Sequence, residues 1–231
     1  MSGSPPDAER TAWLDGLRAL LGASAAWLIR RDDGGAVVEA SAGPAALPAG
    51  TRRPLADLFD RAVLESGRPA LVRNAATDPA FAATPLFRDR GCQSYAGVPR
   101  AGGRDGALAA LSERPGTFSE GDLAFLARLA RCAPGEDPSA FDAAIGAIAA
   151  EPFADLAGAA LARGSAGLAA FRPARLDEVL RDKGPETAGR LLAQLASVLR
   201  EAAPAPGLVG RLGADAVGVL LPGEPLRGAQ R

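Results

Sequence analysis

The sequence predicts an α/β (α+β) chain of two small domains. Three observations carry this expectation. Short apolar strand-like runs punctuated by glycine turns alternate with amphipathic helical segments, the plan of sheets packed against helices. The run Cys132–Pro138 (CAPGEDP) places two prolines and a glycine between periodic segments, which divides the chain into 8–132 and 139–223 with a linker at 133–138 and a tail at 224–231. The composition permits folding: alanine supplies 53 of 231 residues and the formal net charge is only −1, so the modest share of larger apolar residues does not amount to disorder.

Each element follows from spacing. In 8–21, Trp13, Leu14, Leu17, Leu20 and Leu21 share one helical face. Strands at 25–31 and 36–42 flank Asp33-Gly34-Gly35, a hairpin turn. A helix is expected over 55–65, with Leu55, Leu58, Phe59, Ala62 and Val63 inward, ended by Ser66-Gly67. A short strand at 70–73 leads into 74–93, read as irregular because of Pro79 and Pro85. Strands at 94–99 and 106–112 flank Gly102-Gly103-Arg104-Asp105, a turn rather than a phosphate cradle because no Lys-Ser/Thr follows. Ser119 and Asp122 open a helix with a capping-box pattern.

The second half reads as helical from Ser139 to Ile148, with Pro152 as an interruption, then a buried strand at 166–171. Helices follow at 176–181 and 186–201, the latter with Leu191, Leu192, Leu195, Val198 and Leu199 on one face. Strands at 208–212 and 217–221 form a hairpin around Gly213–Ala216. The acidic residues Asp177, Glu178 and Glu186 read as solvated helix faces.

Several function classes drop out. The chain has no histidine, which excludes histidine triads, histidine-ligated metals and a histidine phosphoacceptor. Cys92 and Cys132 are too few for a zinc site or a disulfide framework and read as reduced thiols. A pI near 5.7 gives no drive toward nucleic acid or an anionic membrane. The start shows no signal-peptide pattern and no run reaches the length of a membrane span, so a cytoplasmic location is expected. No metal, cofactor or catalytic residue is expected.

The run Tyr95-Ala96-Gly97-Val98-Pro99, a glycine turn, Gly106–Leu111 and then Phe118–Leu123 resembles the closing part of a GAF domain, and Ala70–Phe81 (ALVRNAATDPAF) resembles its middle strand. The resemblance covers 8–132. It implies a six-stranded antiparallel sheet with helices on one face, a ligand pocket on the other, and a sensory or dimerising role. On that pattern Asp78, Phe81, Phe87, Ser94 and Tyr95 are candidate ligand-binding residues. A loop of about 20 residues over a sheet suits that role. The alternative is that these aromatics fill space left by an alanine-rich sheet. A covalent bilin is not expected, since no histidine follows Cys92, and the Asn-Lys-Phe-Asp-Glu set of cyclic-nucleotide pockets is missing.

Gly210–Gly223 (GRLGADAVGVLLPG) resembles the signature hairpin of a GGDEF domain, the family that makes cyclic di-GMP from GTP; the signature here is Gly213, Ala214, Asp215, Ala216 and Val217. The resemblance spans 139–223 and departs where chemistry is needed. Family aspartates fall on Arg172 and Ala174, the signature glutamate on Ala216, and the guanine-reading pair on Leu180 and Arg181. Phosphoryl transfer needs carboxylates to hold a divalent metal, and the feedback motif at 204–207 reads Pro-Ala-Pro-Gly.

The first functional expectation is therefore a non-catalytic bacterial signalling protein, a GAF-like unit joined to a truncated, degenerate GGDEF-like unit acting through protein contacts. A small-ligand-binding GAF protein with a structural remnant is the second, and an active diguanylate cyclase the third, against which the residue losses speak. The expected partners are a small molecule, a second copy of the chain or a signalling protein. A homodimer through Trp13, Leu17 and Leu20 facing Leu126 and Leu129 is expected, unless these stripes pack on their own sheet. An open sheet edge is expected at 217–221.

Overall fold

The computed structural model describes residues 7–100, 103–164, 166–202 and 207–223. The expected tail at 224–231 and most of the feedback motif lie outside them. The chain divides into two compact units, Met1–Arg131 and Cys132–Arg231.

In unit 1, helix α1 (Asp7–Leu21) is followed by strands β1 (Ala25–Asp32), β2 (Gly35–Ala42) and β3 (Arg52–Arg53). A 3-10 turn at Leu55–Asp57, helix α2 (Arg61–Ser66) and β4 (Ala70–Val72) come next. Helices α3 (Pro79–Ala82) and α4 (Pro85–Arg90), strands β5 (Ser94–Arg100) and β6 (Gly103–Ser112) and helix α5 (Glu120–Arg131) complete the unit. The strands form one antiparallel six-stranded sheet in the order β3-β2-β1-β6-β5-β4. The β1–β2 hairpin turns at Asp33-Gly34, where Gly34 takes φ 114°, a conformation open to glycine at little cost.

Alternation along the strands gives the sheet two apolar faces. Helices α1 and α5 pack on one, with α1 against β1 and β2 and α5 against β5 and β6. Leu14, Leu17, Leu126 and Leu129 are fully enclosed there, and Trp13 is 6% exposed. The expected dimer contact through Trp13, Leu17 and Leu20 is therefore corrected: the stripe is core, because a helix beside a sheet buries its apolar face on that sheet first. Glu39 of β2 pins this face. Its carboxylate accepts from Arg30 Nε at 2.8 Å and Arg100 Nη1 at 2.5 Å, with Arg10 at 3.8 Å. Burial alone would raise its pKa; the guanidiniums of Arg100, Arg30 and Arg10 outweigh burial and hold it below the ordinary value.

The stretch 74–93 departs from the expectation of irregular backbone. It holds a 3-10 turn at Ala75–Thr77 and the helices α3 and α4. Pro79 and Pro85 begin these helices rather than breaking them. Asp78 accepts from the Ala80 N–H at 3.0 Å, and the Thr84 hydroxyl accepts from the Phe87 N–H at 3.4 Å. A capping side chain followed by proline at the first helical position is a start signal, since that position's N–H has no helical partner to lose.

Unit 2 contains β7 (Phe141–Asp142), β8 (Ala147–Ile148), α6 (Ala150–Ala162), β9 (Ala166–Phe171), α7 (Leu176–Ala202), β10 (Leu208–Arg211) and β11 (Val217–Pro222). The expected helix from Ser139 is thus a pair of short strands, and Pro152 lies in the first turn of α6, where proline is tolerated. The sheet order is β7-β8-β10-β11-β9. Helix α7 breaks at Gly184 (φ 81°, ψ 171°) and resumes at Pro185. Its Ala188, Leu192 and Ala196 pack with Val209, Val217 and Val219 on one sheet face. Val198 leaves the expected apolar face and is 57% exposed, because it stands about 120° around the helix from Leu192. On the other face the Phe153 ring of α6 lies directly over Gly210 and Gly218, where any Cβ would collide with it.

Two further expectations are corrected here. Strand 166–171 is not buried: it is the sheet edge, with Leu168 38% and Phe171 40% exposed. The open edge is not 217–221, since β11 pairs with β10 on one side and β9 on the other. The reason is topological: β9 lines up antiparallel beside the second hairpin strand and takes the outer place itself.

Candidate functional site

Besides the Glu39 cluster, three places among the described residues are candidate sites. The first is a buried carboxylate in unit 1. Asp60 precedes α2, and the N–H groups of Val63 and Leu64 donate to its carbonyl at 3.0 and 2.9 Å. Its side chain is 0% exposed. Trp27 Nε1 lies 3.2 Å from both carboxylate oxygens, and the Tyr95 hydroxyl donates to Oδ1 at 3.2 Å. Tyr95 reaches Asp60 by lying along its own strand over Gly97, where a Cβ would strike the ring and hydroxyl. Phe59 stands edge-on to both Phe81 (5.1 Å, 87°) and Tyr95 (5.8 Å, 88°).

Burial raises the Asp60 pKa to about 6, against the lowering pull of the Trp27 and Tyr95 hydrogen bonds. Burial, and then the neighbouring Asp60 charge, lift the Tyr95 hydroxyl well above its ordinary value. The result is a carboxyl group that titrates at about 6 while walled off from solvent. Such a group can hold or release a proton.

The second place is a cavity of about 360 Å³ between the segment 47–58 and α4. Leu47, Leu58, Pro85 and Leu86 form its apolar wall, and Arg53, Asp57, Asp89 and Arg90 its charged rim. This mixture of apolar wall and few charges suits a small polar molecule better than a purely apolar one.

Of the five expected pocket residues, Phe81, Phe87 and Tyr95 gather on the core cluster around Phe59, Trp27 and Leu86. Asp78 caps α3 instead. Ser94 points to the opposite sheet face from Tyr95 and donates to the Arg114 carbonyl at 2.7 Å. None of the five lines the cavity. Sequence reasoning missed Asp60. A usable signal existed: Asp60 lies three and four residues before Val63 and Leu64, so it shares their inward helical face. Cys92 is fully buried, and burial, with a smaller push from Glu113, raises its thiol to about 11, well away from a reactive thiolate.

The third place is the hairpin of unit 2. Arg211 staples its turn: Nε and Nη2 donate to the Gly213 and Ala214 carbonyls, both at 3.2 Å, while Nη1 donates to Asp142 at 2.8 Å. Gly213 takes φ 125°. Asp215 turns outward to Arg172, whose Nη2 lies 2.8 Å from it and 2.9 Å from Asp177. Val217 is fully buried in the core under α7. Among the described residues no group of three or more Cys, Asp or Glu could hold a metal ion. None of the described helices is long and apolar enough to cross a membrane.

Comparison with known proteins places unit 1. A GAF-domain profile matches residues 11–133. Similar solved structures include the GAF domain of an Acinetobacter phosphoenolpyruvate-protein phosphotransferase, at 20% identity and a TM-score of 0.45 over 56% of this chain and 79% of that one. The GAF domain of a two-component sensor histidine kinase from Bacillus halodurans matches at 17% identity and 0.44, over 55% and 90%. Free methionine-R-sulfoxide reductase from Neisseria meningitidis, solved with its substrate, matches at 20% identity and 0.41, over 57% and 89%. No curated protein matches the chain. The matched profile covers more than half of the sequence and coincides with the six-stranded sheet and its helices: the chain belongs to the GAF-domain family.

Proposed function

We propose that this is a non-catalytic signal-transduction protein. Its GAF unit is the sensory part, and its second unit, a degenerate GGDEF-like domain, acts through protein contacts. Membership in the GAF family supports the sensory role. The observation that carries the non-catalytic reading is Arg172. Where a GGDEF-type enzyme would need carboxylates free to hold divalent metal, a guanidinium already bridges Asp215 and Asp177. Ala216 supplies no replacement ligand. The protonated, buried Cys92 supports the same reading for unit 1.

The cavity beside α4 favours an additional role for the GAF unit, the binding of a small polar ligand. Incubation with GTP and magnesium or manganese should yield no cyclic di-GMP, and product above a no-enzyme control would overturn the non-catalytic reading. Native mass spectrometry of the purified chain should reveal bound small-molecule mass, lost in an Arg90→Ala variant. A bare chain under all growth conditions would remove the ligand from this account.

A further inference from the structure

The exposed large apolar residues among the described residues are Leu161, Leu168, Phe171, Leu180 and Val198, every one of them in unit 2. Two belong to β9, whose outer side carries no strand among the described residues. The strand reads Ala166-Gly167-Leu168-Ala169-Ala170-Phe171, without a charge or a proline. Proteins commonly blunt exposed edges with lysine, proline, bulges or inward-pointing charge. This edge has none of those devices and pairs with β11 in unbroken register.

We propose that β9 is an interface for a second copy of this chain, joined edge to edge in antiparallel register to double the sheet of unit 2. The proposal deepens the protein-contact part of the function given above and rests on it. The strand's own sequence selects this occupant. With the two-fold axis at Ala169, each large side chain meets a small residue: Phe171 faces Gly167 of the second copy, and Leu168 faces its Ala170. Leu168 lies beside Leu220 on one face and Phe171 beside Val217 on the other. A paired strand therefore covers apolar surface on both faces while satisfying the edge hydrogen bonds. The charge nearest the strand, Arg172, is held by Asp177 and Asp215, so its guanidinium does not stand unpaired beside the second copy.

Sedimentation velocity of the full chain at tens of micromolar should show a dimer. A Leu168→Lys, Phe171→Lys variant should sediment as a monomer with an unchanged far-ultraviolet circular dichroism spectrum, because both side chains are already partly exposed. Ala169→Cys gives a readout that does not depend on tolerating lysine. The native cysteines are both buried, so the new thiol should cross-link two copies under mild oxidation, and Val198→Cys should not. A monomeric wild type, a dimer indifferent to the lysines, an open ladder of oligomers, or equal cross-linking at 169 and 198 would each overturn self-pairing. Any of these leaves the non-catalytic reading intact, whereas GTP turnover would overturn that reading and not the pairing.

Discussion

The two units solve the same problem, burying an alanine-rich sheet, to different degrees. In unit 1 both faces are covered, α1 and α5 on one and α2 to α4 on the other, and large apolar side chains are enclosed. In unit 2 the core under α7 is buried, yet its outer strand shows Leu168 and Phe171 to solvent. Alanine lets helices and strands approach closely but contributes little area, so larger residues decide where a surface is finished. Unit 1 spends its larger residues inward, while unit 2 leaves several at its margin.

The sharpest way to break this comparison is one substitution made twice. Leu17→Ala, at a 0% exposed position, should destabilise unit 1 by about 2–5 kcal/mol. Leu168→Ala, at 38% exposure, should cost unit 2 less than about 1 kcal/mol at concentrations where the chain is monomeric. Urea unfolding followed by circular dichroism measures both. Equal losses would mean that β9 is as much a part of its core as α1 is of the other.

The next effect separates two carboxylates within unit 1. Asp60 has a folded-state pKa of about 6 against an ordinary 3.8, so the folded chain binds more protons than the unfolded chain between those values. Its contribution to stability is therefore greatest below about pH 4 and falls as pH rises through 6, by an amount on the order of 2–3 kcal/mol. Glu39, with its pKa lowered, acts in the opposite sense and loses its contribution as pH falls through its folded value. In Asp60→Asn the decline between pH 4 and 6 should vanish from denaturation midpoints, leaving the acid-side loss. A wild-type profile flat across that window would refute the burial argument for Asp60.

The smallest effect tests the hairpin of unit 2. Arg172 is 53% exposed and its partners are exposed as well, so Arg172→Gln should change stability by less than about 1 kcal/mol. A larger loss would show that the hairpin depends on the contacts of Arg172.

Much of the architecture of unit 1 was legible in its sequence. Apolar runs on either side of Asp33-Gly34 fix β1 and β2, and Ser119 with Asp122 opens α5 as their spacing implies, the two side chains exchanging hydrogen bonds with each other's backbone N–H groups. Pro79 and Pro85 were ambiguous because proline both ends and begins helices; the capping residues Asp78 and Thr84 before them resolve the ambiguity. The position of β9 could not be read from AGLAAF, since an apolar run looks alike whether a sheet has it at the centre or the edge. The contacts of Asp60 depend on residues 33 and 35 positions away, Trp27 and Tyr95, and no local pattern reports such pairings.

The Trp27–Asp60–Tyr95 cluster has a practical consequence for optical work. The chain's two tryptophans, Trp13 and Trp27, and its single tyrosine, Tyr95, all lie in unit 1. Intrinsic emission is thus blind to the second unit and reports the first one alone. Within that signal the two indoles differ: Trp27 donates to a carboxylate that gains a proton near pH 6, while the Trp13 N–H is buried without a hydrogen-bond partner among the described residues. A charge appearing or disappearing beside one indole shifts its emission and leaves the other as an internal reference. The fold carries its own titration indicator, buried in the core of unit 1.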